Sequence, residues 1–124
     1  FFLIIETIHI MVIRILSIMS LKEIKYRNFK AKIIKLSNKQ AKKEMIYGYY
    51  NPNESTIAIQ ENLGKISYVD TLLHEIAHFI ADKSAIRLKN LGEEGVATFI
   101  GSEFCKVFLQ NPKLLTFIKR NLSK

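Results

Sequence analysis

The chain has 124 residues, 48% hydrophobic and 24% charged, which suits one folded domain and is too short for two. Its single cysteine, Cys105, excludes an intramolecular disulfide framework and a cysteine-built zinc knuckle, and points to a reducing, cytoplasmic setting. The formal charge of +8 would suit nucleic acid or an anionic membrane, but the lysines are spread along the whole chain among Ile and Asn, which reads as compositional bias and argues against nucleic acid as the main partner.

Residues 1–21, FFLIIETIHIMVIRILSIMSL, are almost continuously apolar. The run begins at Phe1 and offers Met11 and Met19 as internal starts, so it reads first as sequence extraneous to the domain, with a membrane anchor or an ordinary packed element as the other readings. Its length permits a span, but Glu6 and Arg14 lie inside it, and each charge costs roughly 2.5–3.5 kcal/mol at a helix centre. It lacks the basic n-region and small-residue cleavage site of a signal peptide. Lys22, Lys25, Arg27, Lys30 and Lys32 follow, so if this segment did span, the remaining domain (residues 22–124) would face the cytoplasm.

Ile24 to Leu36, IKYRNFKAKIIKL, alternates loosely between apolar and basic residues and predicts a strand with one wet face. Ser37 to Glu44 is a polar connection or a short helix. MIYGYY and STIAIQ flank Asn-Pro-Asn-Glu at 51–54 and predict a hairpin, with Ile57 and Ile59 on one face of its second strand. Ser67 and Asp70 match a capping box, which predicts a helix from Tyr68 to Asp82. A second helix is predicted from Glu93 to Gln110, ended by Asn111-Pro112, with Pro112 in the first turn of a short last helix. Strands come first and helices after, so the expected class is α+β.

TLLHEIAHFI, Thr71 to Ile80, carries the chemistry. Helical residues four apart share a face, so His74 and His78 can aim two ring nitrogens at one point. Neutral imidazole is a good zinc ligand, and Glu75 stands where a carboxylate can take a proton from a water activated by the metal. The spacing is H-E-x-x-H. Leu72, Leu73, Ile76, Ala77, Phe79 and Ile80 surround the triad, and two imidazoles and a carboxylate in so apolar a helix need partners. A metal provides one for both histidines.

Zinc that keeps a position open for water needs a third protein ligand. Glu93 and Glu94 open the next predicted helix. Glu94 lies in line with the small residues Ala97 and Gly101, which would allow close approach to the histidine helix; Glu93 lies in line with Val96, Ile100 and Val107. Glu94 is the preferred ligand and Glu93 stays open, the other of the two serving as a favourable helix-start charge. Asp70 reads as a cap, Asp82 as a helix-end residue, Glu103 as solvent-facing, and Tyr47, Tyr49 and Tyr50 as strand packing.

HEIAH followed by EGVA at 94–97 resembles the zinc metallopeptidases called gluzincins, with their H-E-x-x-H and E-x-x-A arrangement. More narrowly, YGYYNPNESTIAIQ ahead of the histidine helix is similar to the small phage and prophage peptidases of the ImmA/IrrE type, over about Met45 to Pro112. Ala77 stands where that type often has glycine, and Thr98 where it often has asparagine. The resemblance implies a minimal zincin-like domain, phage or mobile-element encoded, that hydrolyses a protein or peptide substrate. It implies zinc held by His74, His78 and Glu94, Glu75 as general base, and STIAIQ as the strand that pairs with an extended substrate. Two other roles stay open: a zinc-binding regulatory or interaction module without hydrolysis, and a basic nucleic-acid-binding domain.

Overall fold

The run from Ile24 to Leu36 is a hairpin and not the single strand that its alternation predicts. In the computed structural model, which describes residues 2–19 and 21–123, it divides into β1 (Glu23–Tyr26) and β2 (Phe29–Leu36), antiparallel with Tyr26 opposite Phe29. The turn between them is made by Arg27 and Asn28, and Arg27 takes a left-handed φ of 54°. No Gly or Pro marks this turn, so the usual breaker signal is missing from the sequence. Ser37 then caps α2 (Asn38–Glu44), its hydroxyl oxygen accepting from the Gln40 amide at 3.2 Å.

The predicted second hairpin is present as β3 (Gly48–Asn51) and β4 (Thr56–Gln60), antiparallel with Tyr50 opposite Ile57. Asn51 Oδ1 accepts from the Asn53 and Glu54 amides at 3.0 and 3.3 Å, the side-chain turn that Asn-Pro-Asn favours. β4 also pairs in parallel with β2, Ile33 opposite Ile57, so the sheet order is β1-β2-β4-β3. Both edges of β4 are therefore taken. The expectation that STIAIQ pairs with a substrate is corrected here: that strand is interior, and the sheet's edges are β1 and β3.

The β1 edge is covered. Asn111 Oδ1 accepts from the Lys25 amide at 2.9 Å and its Nδ2 donates to the Lys25 carbonyl at 2.7 Å. Gln110 does the same for Arg27, at 2.7 and 3.1 Å. Two amide side chains thus stand in for a neighbouring strand and block further pairing. On β3, by contrast, the Gln60 amide donates to the Tyr47 carbonyl, which puts the Tyr47, Tyr49 and Asn51 backbones toward β4. Antiparallel alternation then points the N–H and C=O groups of Gly48 and Tyr50 out of the sheet edge.

Helix α3 (Lys65–Ser84) starts three residues before the predicted Tyr68. Gly64 is its N-cap, no side chain caps it, and Ser67 and Asp70 lie within the helix, so the capping-box assignment is corrected. Ala85, left-handed at φ 57°, ends it. Leu72, Ile76, Phe79 and Ile80 are fully buried against Ile57 and Ile59, and each such side chain contributes roughly 1.5–3 kcal/mol on burial. Their stripe fixes the rotation of α3 and turns His74 and His78 to the opposite side. Ala58 points to the other sheet face, where α2 covers it with Ala41.

After a short 3-10 turn (Leu88–Asn90) the predicted helix of 93–110 is divided into α4 (Glu93–Thr98), a π-helical stretch (Phe99–Glu103) and α5 (Phe104–Gln110). Glu103, expected in solvent, is half-buried and accepts a 2.6 Å hydrogen bond from the phenol of Tyr26, which is fully buried in the core. Helix α6 (Pro112–Leu122) begins on Pro112 as predicted and buries Leu114 and Phe117. The class is α+β. At the other end of the chain, α1 (Phe2–Met19) touches α6 and exposes Leu3, Ile4, Ile5, Ile8, Ile10 and Met11. Among the described residues no helix is long and apolar enough to cross a membrane. Phe1 and Ser20, which belong to the 1–21 segment, lie outside the described residues.

Candidate metal centre and cleft

His78 follows His74 by four positions, about one helical turn, and the fold turns both rings outward from α3. Their Nε2 atoms are 3.2 Å apart, with the rings nearly perpendicular and their centroids 4.9 Å apart. That separation suits an N–H···N hydrogen bond, and it also suits two ligands of one cation. With zinc–nitrogen bonds of about 2.0–2.1 Å it corresponds to a ligand–metal–ligand angle of about 100°, close to tetrahedral. The pair therefore fits a zinc ion. Both residues are exposed.

Glu75 is placed differently. One residue on from His74, it lies beside the core stripe of Leu72, Ile76 and Phe79, and it is the only buried carboxylate among the described residues. Its Oε1 is 4.0 Å from His74 Nε2. That is too long for a direct hydrogen bond.

Glu93 and Glu94 are not brought to the pair. Both are exposed in the first turn of α4, and among the described residues no group of three His, Cys, Asp or Glu side chains converges on one point. The helix that carries them does face the histidine helix. An apolar groove of about 600 Å³ separates the two, with Leu73, His74 and Ala77 on one wall and Val96, Ile100 and Gly101 among the residues on the other.

Glu75 lines two further cavities, which meet at Gly48 of the open edge strand. A smaller one of about 280 Å³ lies on the His74 side, between Ile46–Gly48 and Asp70, Thr71 and Glu75. A larger cleft of about 740 Å³ lies on the His78 side, between β3, α3 and the connection that carries Arg87 and Lys89. Gly48 is at the waist. A Cβ there would sit 2.7 Å from the Ala58 carbonyl oxygen and 2.8 Å from Thr71 Cγ2, so only glycine lets the edge strand lie this close to α3.

Tyr50 pins the same strand from its other end. Its ring packs on Phe79 and its phenol donates a 2.6 Å hydrogen bond to Asp82 Oδ2. Burial, and then the bond to the Asp82 carboxylate, hold the phenol well above the ordinary tyrosine range, so it stays protonated and keeps donating. Tyr50 and Asp82 thus form a strut between β3 and α3, a pairing that sequence reasoning missed because the partners are 32 residues apart. Comparison with protein-family models, curated proteins and solved structures finds no match to this chain.

Proposed function

We propose that the chain is a zinc-dependent peptidase of the zincin type, acting on a protein or peptide substrate. His74, His78 and Glu94 are the zinc ligands in this reading and Glu75 is the general base. The observation that carries it is the 3.2 Å Nε2–Nε2 separation of an H-E-x-x-H pair, set beside a buried glutamate and an open sheet edge. When bound, zinc supplies a Lewis acid that brings the pKa of water to about 7 and polarises a peptide carbonyl.

The chain's own residues do the rest. The outward N–H and C=O groups of Gly48 and Tyr50 take an extended peptide as an added strand and hold its backbone across the face of α3. Glu75, fixed beside the core stripe, accepts the proton of the attacking water and returns it to the departing amine. Low exposure suits this role, because a carboxylate shielded from bulk water keeps a short, defined path to its proton. Glu94 is the third ligand in this reading; in the described structure it stands exposed in the first turn of α4, away from the histidine pair, so the complete site requires α4 to approach His74.

Glu75→Gln tests the assignment. The variant is expected to bind zinc as the parent does and to lose peptide hydrolysis by at least about a hundredfold. Parent-like hydrolysis by the variant would refute it. The second reading is a zinc-binding interaction module without hydrolysis. That module would carry stoichiometric zinc and cleave no member of a peptide library.

A further inference from the structure

The cleft beside His78 has a charged wall that the proposed chemistry does not use. Its floor is α3 with Glu75, His78 and Asp82, one side is the open edge at Gly48 and Tyr50, and the far side is the connection after α3. That connection presents Arg87 and Lys89, two residues apart and both exposed, while Leu88 between them turns back toward the apolar groove. Of the two carboxylates that line the cleft, Glu75 is buried and Asp82 is engaged by Tyr50 at 2.6 Å and Lys83 at 3.8 Å. Among the described residues no carboxylate lies within ion-pair distance of Arg87 or Lys89.

Two unpaired cations therefore line the wall opposite a strand edge that offers backbone hydrogen bonds. A peptide added to β3 runs between them. Its backbone is satisfied by Gly48 and Tyr50 whatever its sequence, so the edge gives affinity and the opposite wall gives selectivity. A cationic side chain would meet Arg87 and Lys89 as a repulsion, and a neutral one would leave them as they are. A carboxylate would gain two charge-assisted partners. We propose that this half of the cleft selects a carboxylate on the substrate, supplied by an Asp or Glu side chain or by a free peptide C-terminus. The inference rests on the peptidase reading for its substrate, but its test does not depend on hydrolysis.

The probe is one extended peptide frame made in Glu-containing, Gln-containing and Lys-containing versions, each with a free and an amidated C-terminus. Binding to the Glu75→Gln chain is followed by fluorescence anisotropy at low and at raised salt. The acidic version is expected to bind best and the lysine version worst. In the Arg87→Glu, Lys89→Glu double variant that order is expected to reverse, with the acidic peptide weakened roughly tenfold. Arg87→Gln, Lys89→Gln is expected to level the three without reversing them. A free-versus-amidated difference that vanishes in the double variant assigns the carboxylate to the C-terminus, and a Glu-versus-Gln difference in amidated peptides assigns it to the side chain.

Equal binding of all three versions, no binding of any, or a preference untouched by the double variant would each overturn the proposal. So would a single-stranded oligonucleotide that binds more tightly than every peptide and is released by the same charge reversal. Hydrolysis of the same peptides by the parent chain reports separately on the peptidase reading. An intact acidic preference without cleavage removes that reading and keeps the carboxylate site, while cleavage without preference does the opposite.

Discussion

Replacing Gly48 with alanine puts one methyl group into the narrowest point between the edge strand and the histidine helix. The added carbon would lie 2.7 Å from the Ala58 carbonyl oxygen and 2.8 Å from Thr71 Cγ2, both inside van der Waals contact. The first obstacle is backbone of the interior strand β4, which cannot rotate away, so β3 must shift outward or twist. Overpacking of this kind costs roughly 1–3 kcal/mol, against a gain of about 0.4–1 kcal/mol from a less flexible unfolded chain. A net loss of roughly 1–2 kcal/mol remains, which for a chain of this size lowers Tm by about 4–8 °C at an unfolding entropy near 2.1 cal/mol/K per residue. Thermal denaturation by circular dichroism reads it directly. Thr71→Ala in the same chain is expected to recover part of the loss, because it clears the side-chain obstacle and leaves the carbonyl. A Gly48→Ala chain as stable as the parent would show that β3 and α3 are not held at the described distance, and the cleft geometry would fall with them.

Glu94→Gln is expected to weaken zinc binding by more than tenfold in competition with a chelator, and Glu93→Gln to leave it within about twofold; the reverse order would move the third ligand to Glu93. Tyr26→Phe removes the donor that lowers the Glu103 carboxyl below its usual range, ahead of Lys106 and Arg27. Glu103 therefore adds stability that is full above the unfolded carboxyl pKa and lost as pH falls through the lower folded value. Denaturant titrations of the parent are expected to lose stability from just below pH 5 downward, and Tyr26→Phe to flatten that acid limb; an unchanged limb would contradict the assignment. Asn111→Leu strips the Lys25 backbone groups of both partners at a buried site, and a loss of roughly 1–3 kcal/mol is expected on chemical denaturation, with a neutral result arguing that the β1 edge is not closed this way.

What could be read in the sequence was what depends on near neighbours. The spacing of His74 and His78 places two ring nitrogens together through helix geometry alone, and in the fold they lie 3.2 Å apart. Asn-Pro-Asn turns β3 into β4, and Pro112 opens α6, for equally local reasons. The misses have distant or silent causes. Arg27 and Asn28 make a turn without a breaker, so two strands look like one. Gly64 caps α3 with backbone only, while Ser67 and Asp70 imitate a capping box further along. β4 becomes interior because β2 pairs with it in parallel, and no periodicity within either strand signals that choice. The same holds for Glu103, whose partner Tyr26 is 77 residues away, and for Glu93 and Glu94, whose distance from the histidines depends on how α4 packs.

The central claim is that His74 and His78 hold zinc. Elemental analysis of the purified chain, after dialysis against zinc and then against metal-free buffer, tests it most directly. One zinc per chain is predicted for the parent and for Glu75→Gln, with none retained by the His74→Ala, His78→Ala double variant. A parent chain without zinc, or a double variant that keeps it, would contradict the account.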